Sequence, residues 1–300
     1  MKKHLKIAYL VIAYMDPEQL KRLAARLCGT SDVFVHINAS VDLDPFRRAL
    51  AGVHGNGRVF LSRERYRIVW GGYSILQATF SMMEQAFQRE RYDRFVLLTG
   101  LDYPIRSDEE IETFFLENAH REYIHADVVS GEQYDHLYYH ASRDHRILHK
   151  CFQIYEKILR KCGKKGKEDY VIYRGENYDL YGIVPKWALS GDCASYLLDF
   201  YKNNKAFNRY FQRMHAPDDF YVATVLFHSR FRDAIESRED IFRIIWLPED
   251  KGAKILSQED YEKLMEGNCL YAKKFQSGYS EDLIDLLEEQ DVEEGCRAWG

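Results

Sequence analysis

Several stretches of this chain carry side chains whose types and spacing could do chemistry. In "HAPDDFYVATVLFHS", His215 to Ser229, Pro217 precedes two adjacent carboxylates, Asp218 and Asp219. Two acids after a proline fit the acidic first turn of a helix, where they complement the macrodipole. One of them could instead be a general base, provided it comes within about 2.6–3.2 Å of the proton it removes. "VDLDP" offers Asp42-x-Asp44, a spacing that can hold Mg²⁺ or Mn²⁺. Hard cations need several converging oxygen ligands, so this pair reads as a surface loop first. "VWGGYSILQA" joins a strand end to a helix start through Gly71 and Gly72, which could let backbone approach a ligand closely. Asp102 in "LLTGLDYPIRS" is either a turn residue or a ligand contact. Trp187, Tyr138 and Tyr139 carry flat faces that stack on sugars or fill a core, and for Trp187 core packing is the plainer reading. Arg243 of "FRIIW" and Lys274 of "YAKKF", taken alone, are surface charges beside a strand and a loop. Several nucleotide and hydrolase signatures are absent. The chain has no G-x-G-x-x-G after a strand, no P-loop, no H-E-x-x-H and no G-x-S-x-G.

The elements that must position these residues alternate strand and helix. "KIAYLVIAY" is a near-continuous apolar run, as a strand covered on both faces requires. Pro17 opens a helix whose Leu20, Leu23, Ala24 and Leu27 share one face. "DVFVHIN", "RVFLS", "DRFVLLTG" and "EYIHAD" read as further strands, with helices over 71–88 and after the Ser107 cap. This order predicts an α/β fold with a mainly parallel, doubly wound sheet flanked by helices, which binds ligands at the carboxyl ends of its strands. Residues 127–180 are rich in His, Tyr, Arg and Lys, with a basic helix from Asp144 to Lys161. That helix reads as a solvated face; the alternative is contact with an anionic membrane carrying a lipid-linked acceptor. In the last third, "PKWALSGDCASYLLDFYKNN" and "PDDFYVATVLFHS" read as helices and "IFRIIWLPED" as a strand. An acidic amphipathic helix closes the chain. No repeat or low-complexity linker divides it, so residues 1–300 read as one domain.

Composition supports a sizeable core: 46% of the 300 residues are apolar. A net charge of −5 lacks the basic excess of a nucleic-acid binder. Six cysteines without a C-x-x-C or zinc spacing read as the reduced thiols of a cytoplasmic protein. "MKKHLKIAYLVIAYMDP" has the basic start of a signal peptide, but no small-residue cleavage site follows. No apolar stretch reaches the roughly 18 residues of a membrane span.

The order of "VWGGYSILQA", "LLTGLDYPIRS", "APDDFYVAT", "FRIIW" and "YAKKF" resembles the core-2/I-branching β-1,6-N-acetylglucosaminyltransferase family, which also contains peptide O-xylosyltransferases. The resemblance begins at "IAYLVIAYMDPEQLKRL" and "VFVHIN" and runs through nearly the whole chain, with the basic middle matching least. It implies a GT-A-like fold, a UDP-GlcNAc or UDP-xylose donor, inversion at the anomeric carbon, and no metal. The nucleotide-sugar half would be 1–126 and the acceptor and catalytic half 127–300. The family's catalytic base is the acid of a P-D-E motif, and Asp219 stands at that position, one methylene shorter than glutamate. Arg243 and Lys274 match the residues that neutralise the leaving diphosphate in place of a cation. Asn38 stands where the family usually has aspartate in the uridine-binding region. Gly71, Gly72 and Asp102 fall on the donor side, and Trp187, Tyr138 and Tyr139 on the acceptor side. The implied activity is transfer of a sugar, GlcNAc first, from UDP to a glycan or lipid-linked glycan at the cytoplasmic face of the membrane. The alternatives are an O-xylosyltransferase, a catalytically inactive sugar- or nucleotide-binding protein, and a metal-dependent transferase using Asp42 and Asp44.

Overall fold

The computed structural model describes residues 4–129, 140–163, 168, 170–237, 241–248 and 252–297. In chain order the first elements are β1 (Ile7–Ala13), α1 (Pro17–Cys28), β2 (Asp32–Ile37), α2 (Asp44–Leu50), β3 (Val59–Leu61), α3 (Ser74–Phe87) and β4 (Arg94–Thr99). Next come β5 (Asp102–Pro104), α4 (Asp108–Glu117), β6 (Glu122–Val128), α5 (Arg146–Lys161), β7 (Tyr170–Tyr173) and β8 (Glu176–Asp179). The remainder are β9 (Tyr181–Ser190), α6 (Gly191–Asn203), α7 (Lys205–Phe211), α8 (Tyr221–Phe227), β10 (Ile235–Glu236), β11 (Phe242–Ile244), α9 (Tyr261–Met265), β12 (Tyr271–Lys273) and α10 (Glu281–Arg297).

The main sheet has the order β10-β6-β9-β4-β1-β2-β3. β9 pairs antiparallel with both β4 and β6, and the other ladders are parallel. The fold is therefore the mainly parallel α/β class that the strand–helix alternation predicts. β1 shows why its sequence is apolar throughout. Ile7, Tyr9, Val11 and Ala13 enter the core on one face, while Ala8, Leu10 and Ile12 enter the core on the other. A strand with a period of two and two covered faces has no position left for a polar side chain. On the first face lie α1, whose buried residues are Gln19, Leu20, Leu23, Ala24, Leu27 and Cys28, and a small sheet of order β11-β12-β5. α3, α6 and α8 cover the second face.

Local chemistry fixes the element ends. Asp16 accepts from the Gln19 amide at 3.1 Å and Pro17 takes the first turn, where its missing N–H costs nothing. Ser107 and Glu110 form a reciprocal capping box on α4. "PKWALS" is strand rather than the start of a helix. It belongs to β9, between β4 and β6, and Ser190 then caps α6 by accepting from the Cys193 amide at 3.2 Å. Pro185 is tolerated there because the β6–β9 register shifts between Ile124 and Ala126.

Because β1, β2 and β4 are parallel, their carboxyl ends share one edge. β2 and β3 lie on one side of β1 and β4 on the other, so the strand order reverses at the β1–β4 junction. That reversal opens a crevice where neighbouring connections diverge to opposite faces.

Candidate active site

A cavity of about 400 Å³ lies at that junction. Its walls include Ile12–Met15 at the carboxyl end of β1, Thr99–Leu101 at the carboxyl end of β4, Ile244 of β11, and Lys273 and Lys274 at the end of β12. Two indoles, Trp70 and Trp246, also line it, and they are 76% and 66% exposed. Large aromatics left this open on a folded surface offer stacking faces to a ligand.

The acidic turn is fastened to the cavity rim. Pro217–Asp219 forms a single 3₁₀ turn, and α8 begins only at Tyr221. The preceding Ala216 has φ 48°, and its amide donates to the Gly71 carbonyl at 3.0 Å. His215 meets Trp70 edge to face, with ring centroids 5.0 Å apart. Arg143 donates through Nε to His215 Nδ1 at 3.4 Å and lies 5.5 Å over the Trp70 ring. From the other side, Gly182 near the start of β9 packs on the turn; a Cβ there would fall 2.2 Å from the Asp219 carbonyl oxygen. Thus the turn sits beside the carboxyl edge of the sheet, joined through His215 and Trp70 to the cavity.

Burial sets the electrostatics of the pair. It raises Asp218 to about 6, against the opposing effect of a hydrogen bond to its own backbone amide. Asp219 is pushed up to about 8, by burial first and by the neighbouring Asp218 charge second. Two carboxyls this close hold a proton into the neutral range, the behaviour of an acid–base group rather than of a solvated helix-start acid.

The two glycines are small for a reason the sequence could not name. Gly71 has φ +71°, and a Cβ on it would lie 2.6 Å from the His215 ring. On Gly72 a Cβ would lie 2.4 Å from Asp144 Oδ1. Asp144 in turn accepts from the Ser74 amide at 3.1 Å and its hydroxyl at 2.6 Å. It caps α3 from a distant segment, since Tyr73 offers no side-chain cap. The glycines are thus approached by protein groups of the site.

Other expected residues are placed elsewhere. Trp187 is 1% exposed within the core, which corrects its expected place against an acceptor. Asp102 is also buried; its carboxylate accepts from the Thr99 amide and pairs with Lys186, so it braces the β4–β5 turn beneath the cavity. Asn38 spends its amide on the chain: Nδ2 donates to the Ile68 carbonyl at 2.8 Å, and Oδ1 accepts from the amides of Ser40 and Ile68. Arg243 does not line the cavity. Strand alternation sends Ile244 toward it and Arg243 to the other face, where the guanidinium donates to the Glu266 carbonyl at 2.7 Å. Tyr138 and Tyr139 lie outside the described residues. Asp42, exposed ahead of α2, accepts from the Asp44 amide at 3.1 Å, and Asp44, the exposed first residue of α2, pairs with Arg47 at 2.9 Å. Among the described residues no three His, Cys, Asp or Glu side chains gather as a metal would need.

The core-2/I-branching enzyme family model matches residues 7–265. The chain belongs to that family. It is accordingly a glycosyltransferase, an enzyme class that takes a nucleotide-sugar donor and a glycan acceptor, and its main sheet has the mainly parallel α/β order the sequence predicts. No curated protein matches the chain. Among solved structures it is similar to a protein described as a glucose-1-phosphate thymidylyltransferase from Bacillus anthracis, solved in complex with a sucrose. The identity is 14%, over 67% of this chain and 78% of that one, with a TM-score of 0.29. Among the described residues no helix is long and apolar enough to cross a membrane.

Sequence reasoning missed Arg143, Asp144, His215, Trp246 and Lys273. His215, Trp246 and Lys273 lie inside stretches already singled out, "HAPDDFYVATVLFHS", "FRIIW" and "YAKKF", and that membership was their available signal. Arg143 and Asp144 reach the site across some 70 residues of chain and left no local pattern.

Proposed function

We propose that this branching-enzyme family member transfers a sugar, N-acetylglucosamine first among candidates, from a UDP donor to a glycan hydroxyl with inversion. The observation that carries the reading is one junction: a cavity walled by two open indoles and two lysines, with a proton-holding carboxyl pair joined to its rim. The donor's base and sugar have Trp70 and Trp246 to stack on. Lys274, with Lys273 beside it, supplies positive charge for the leaving diphosphate, the role a divalent cation fills in other transferases. Arg243 would join them only by leaving the Glu266 carbonyl.

In the reaction the acceptor oxygen attacks the anomeric carbon from the face opposite UDP. The new C–O bond forms as the bond to the diphosphate breaks, the electron pair leaves with UDP, and the acceptor proton passes to Asp219. The raised proton affinity of Asp219 matches it to a hydroxyl that becomes acidic only as attack proceeds. Asp218 raises that affinity through its charge.

The test is thermal shift with UDP, UDP-GlcNAc and UDP-xylose, followed by turnover in EDTA with simple galactose or N-acetylgalactosamine acceptors. A donor at a hundred times its dissociation constant stabilises the fold by about 2.7 kcal/mol, and the sugar giving the larger shift and turnover is the donor sugar. If no UDP-sugar moves the melting temperature, the reading fails. Turnover that EDTA abolishes would overturn the metal-independent part alone.

A further inference from the structure

Helix α5 displays on its outside what a soluble helix ordinarily hides. Ile147, Ile154 and Ile158 are 80%, 63% and 57% exposed, and Tyr155 and Leu148 widen the same face. Together with Cys151, the isoleucines follow i, i+4, i+7 and i+11 spacing, one continuous stripe. A second stripe runs alongside it: Arg146, Lys150, Lys157 and Lys161, all exposed. The helix's single acid, Glu156, turns inward, accepting from the His140 amide at 2.8 Å. Phe152 stacks on the His140 ring at 5.3 Å. These two contacts fix which side faces the protein, and they leave the isoleucines outward. A chain with a net charge of −5 therefore presents here a face without an acid.

A solvated face has no use for three open isoleucines. A protein partner would bury them, but protein interfaces are depleted in lysine. Helices that lie in a membrane interface combine just these two stripes. Their apolar side enters the boundary between headgroups and acyl chains, and their lysines extend along it to the lipid phosphates.

We propose that the outer face of α5 docks this protein on an anionic lipid bilayer. α5 begins two residues after Asp144, which caps α3 beside the acidic turn, so docking would hold the acceptor side of the enzyme near the membrane surface. A lipid-linked glycan is the acceptor class such a placement serves. The docking itself is independent of the donor chemistry and is measured without it.

The experiment is co-sedimentation of the full chain with phosphatidylcholine vesicles, with and without added phosphatidylglycerol, at low and high salt. The proposal expects binding to the anionic vesicles, weakened by salt, and little binding to neutral ones. An Ile147→Glu/Ile154→Glu double variant should lower the vesicle affinity by roughly tenfold or more. Lys150→Glu/Lys157→Glu should lower it too, while both variants keep the wild-type circular dichroism, melting temperature and donor turnover with a soluble acceptor. Equal binding to neutral and anionic vesicles, or binding unaffected by either variant, would overturn the proposal. So would a wild-type dimer that Ile154→Glu dissociates without any vesicle binding, because the face would then belong to a second copy.

Discussion

Replacing Asp218 with asparagine isolates what its charge does to Asp219. In the native site the pair sheds its protons in two steps, near 6 and near 8, and these steps belong to the pair rather than to either residue. With the upper step near 8, only about a tenth of the enzyme carries both carboxylates ionised at pH 7. If Asp219 must be ionised to take the acceptor proton, kcat/KM should climb roughly tenfold from pH 7 to an alkaline plateau. Asp218→Asn removes the second cause of the high value and leaves burial, the first. The Asp219 value therefore falls, and the rising limb moves toward acid. At pH 7 the variant works closer to its own plateau than the wild type does. The assay is UDP release under kcat/KM conditions, run from about pH 5.5 to 9.5 at constant ionic strength. A wild-type profile that is flat between pH 6 and 9 would refute the reasoning. A limb that moves alkaline in Asp218→Asn would refute it equally.

Other outcomes follow from the same geometry. Gly71→Ala puts a side chain at φ +71° and a Cβ 2.6 Å from the His215 ring, so it should cost about 1–3 kcal/mol in urea unfolding and lower turnover as His215 shifts. Lys274→Ala removes a charge from the cavity wall and should weaken UDP binding about ten- to a hundredfold by calorimetry, with circular dichroism unchanged. Asp219→Asn should change stability with pH. A folded value raised to about 8 gives stability that is fully present below the unfolded value near 4 and lost as pH rises through 8. The amide does not titrate, so the variant should melt higher than wild type at pH 8.5, by about 2 kcal/mol or more, with that advantage gone at pH 4.

What was legible in the sequence follows from burial. β1, β2 and β4 are covered on both faces, and two covered faces leave an uninterrupted apolar run. α1 and α4 were legible through Pro17 and through the Ser107 cap. β9 was not, because its apolar residues run on into α6, and the boundary rests on one serine cap. Of the small sheet only β11 was legible, and the other two strands were missed for a different reason. Three-residue strands such as β5, inside "LLTGLDYPIRS", are too short to show a period, and their partners lie far along the chain. At the site, the acidic turn and the Lys274 segment were visible as motifs. Which tryptophan would stand open was not: Trp70 follows apolar Val69 and Trp187 follows Lys186, yet the fold sends the first to the cavity and the second to the core. Nor could the motif "FRIIW" show that a one-residue alternation turns Arg243 away.

The most direct measurement is the single-turnover rate of Asp219→Asn with a saturating UDP-sugar and acceptor, read beside its affinity for UDP. Loss of a general base should lower the rate by about 10²–10⁴-fold while UDP binds as tightly as to the wild type. A variant that binds UDP normally and still transfers at the wild-type rate would contradict the assignment of Asp219 as the base.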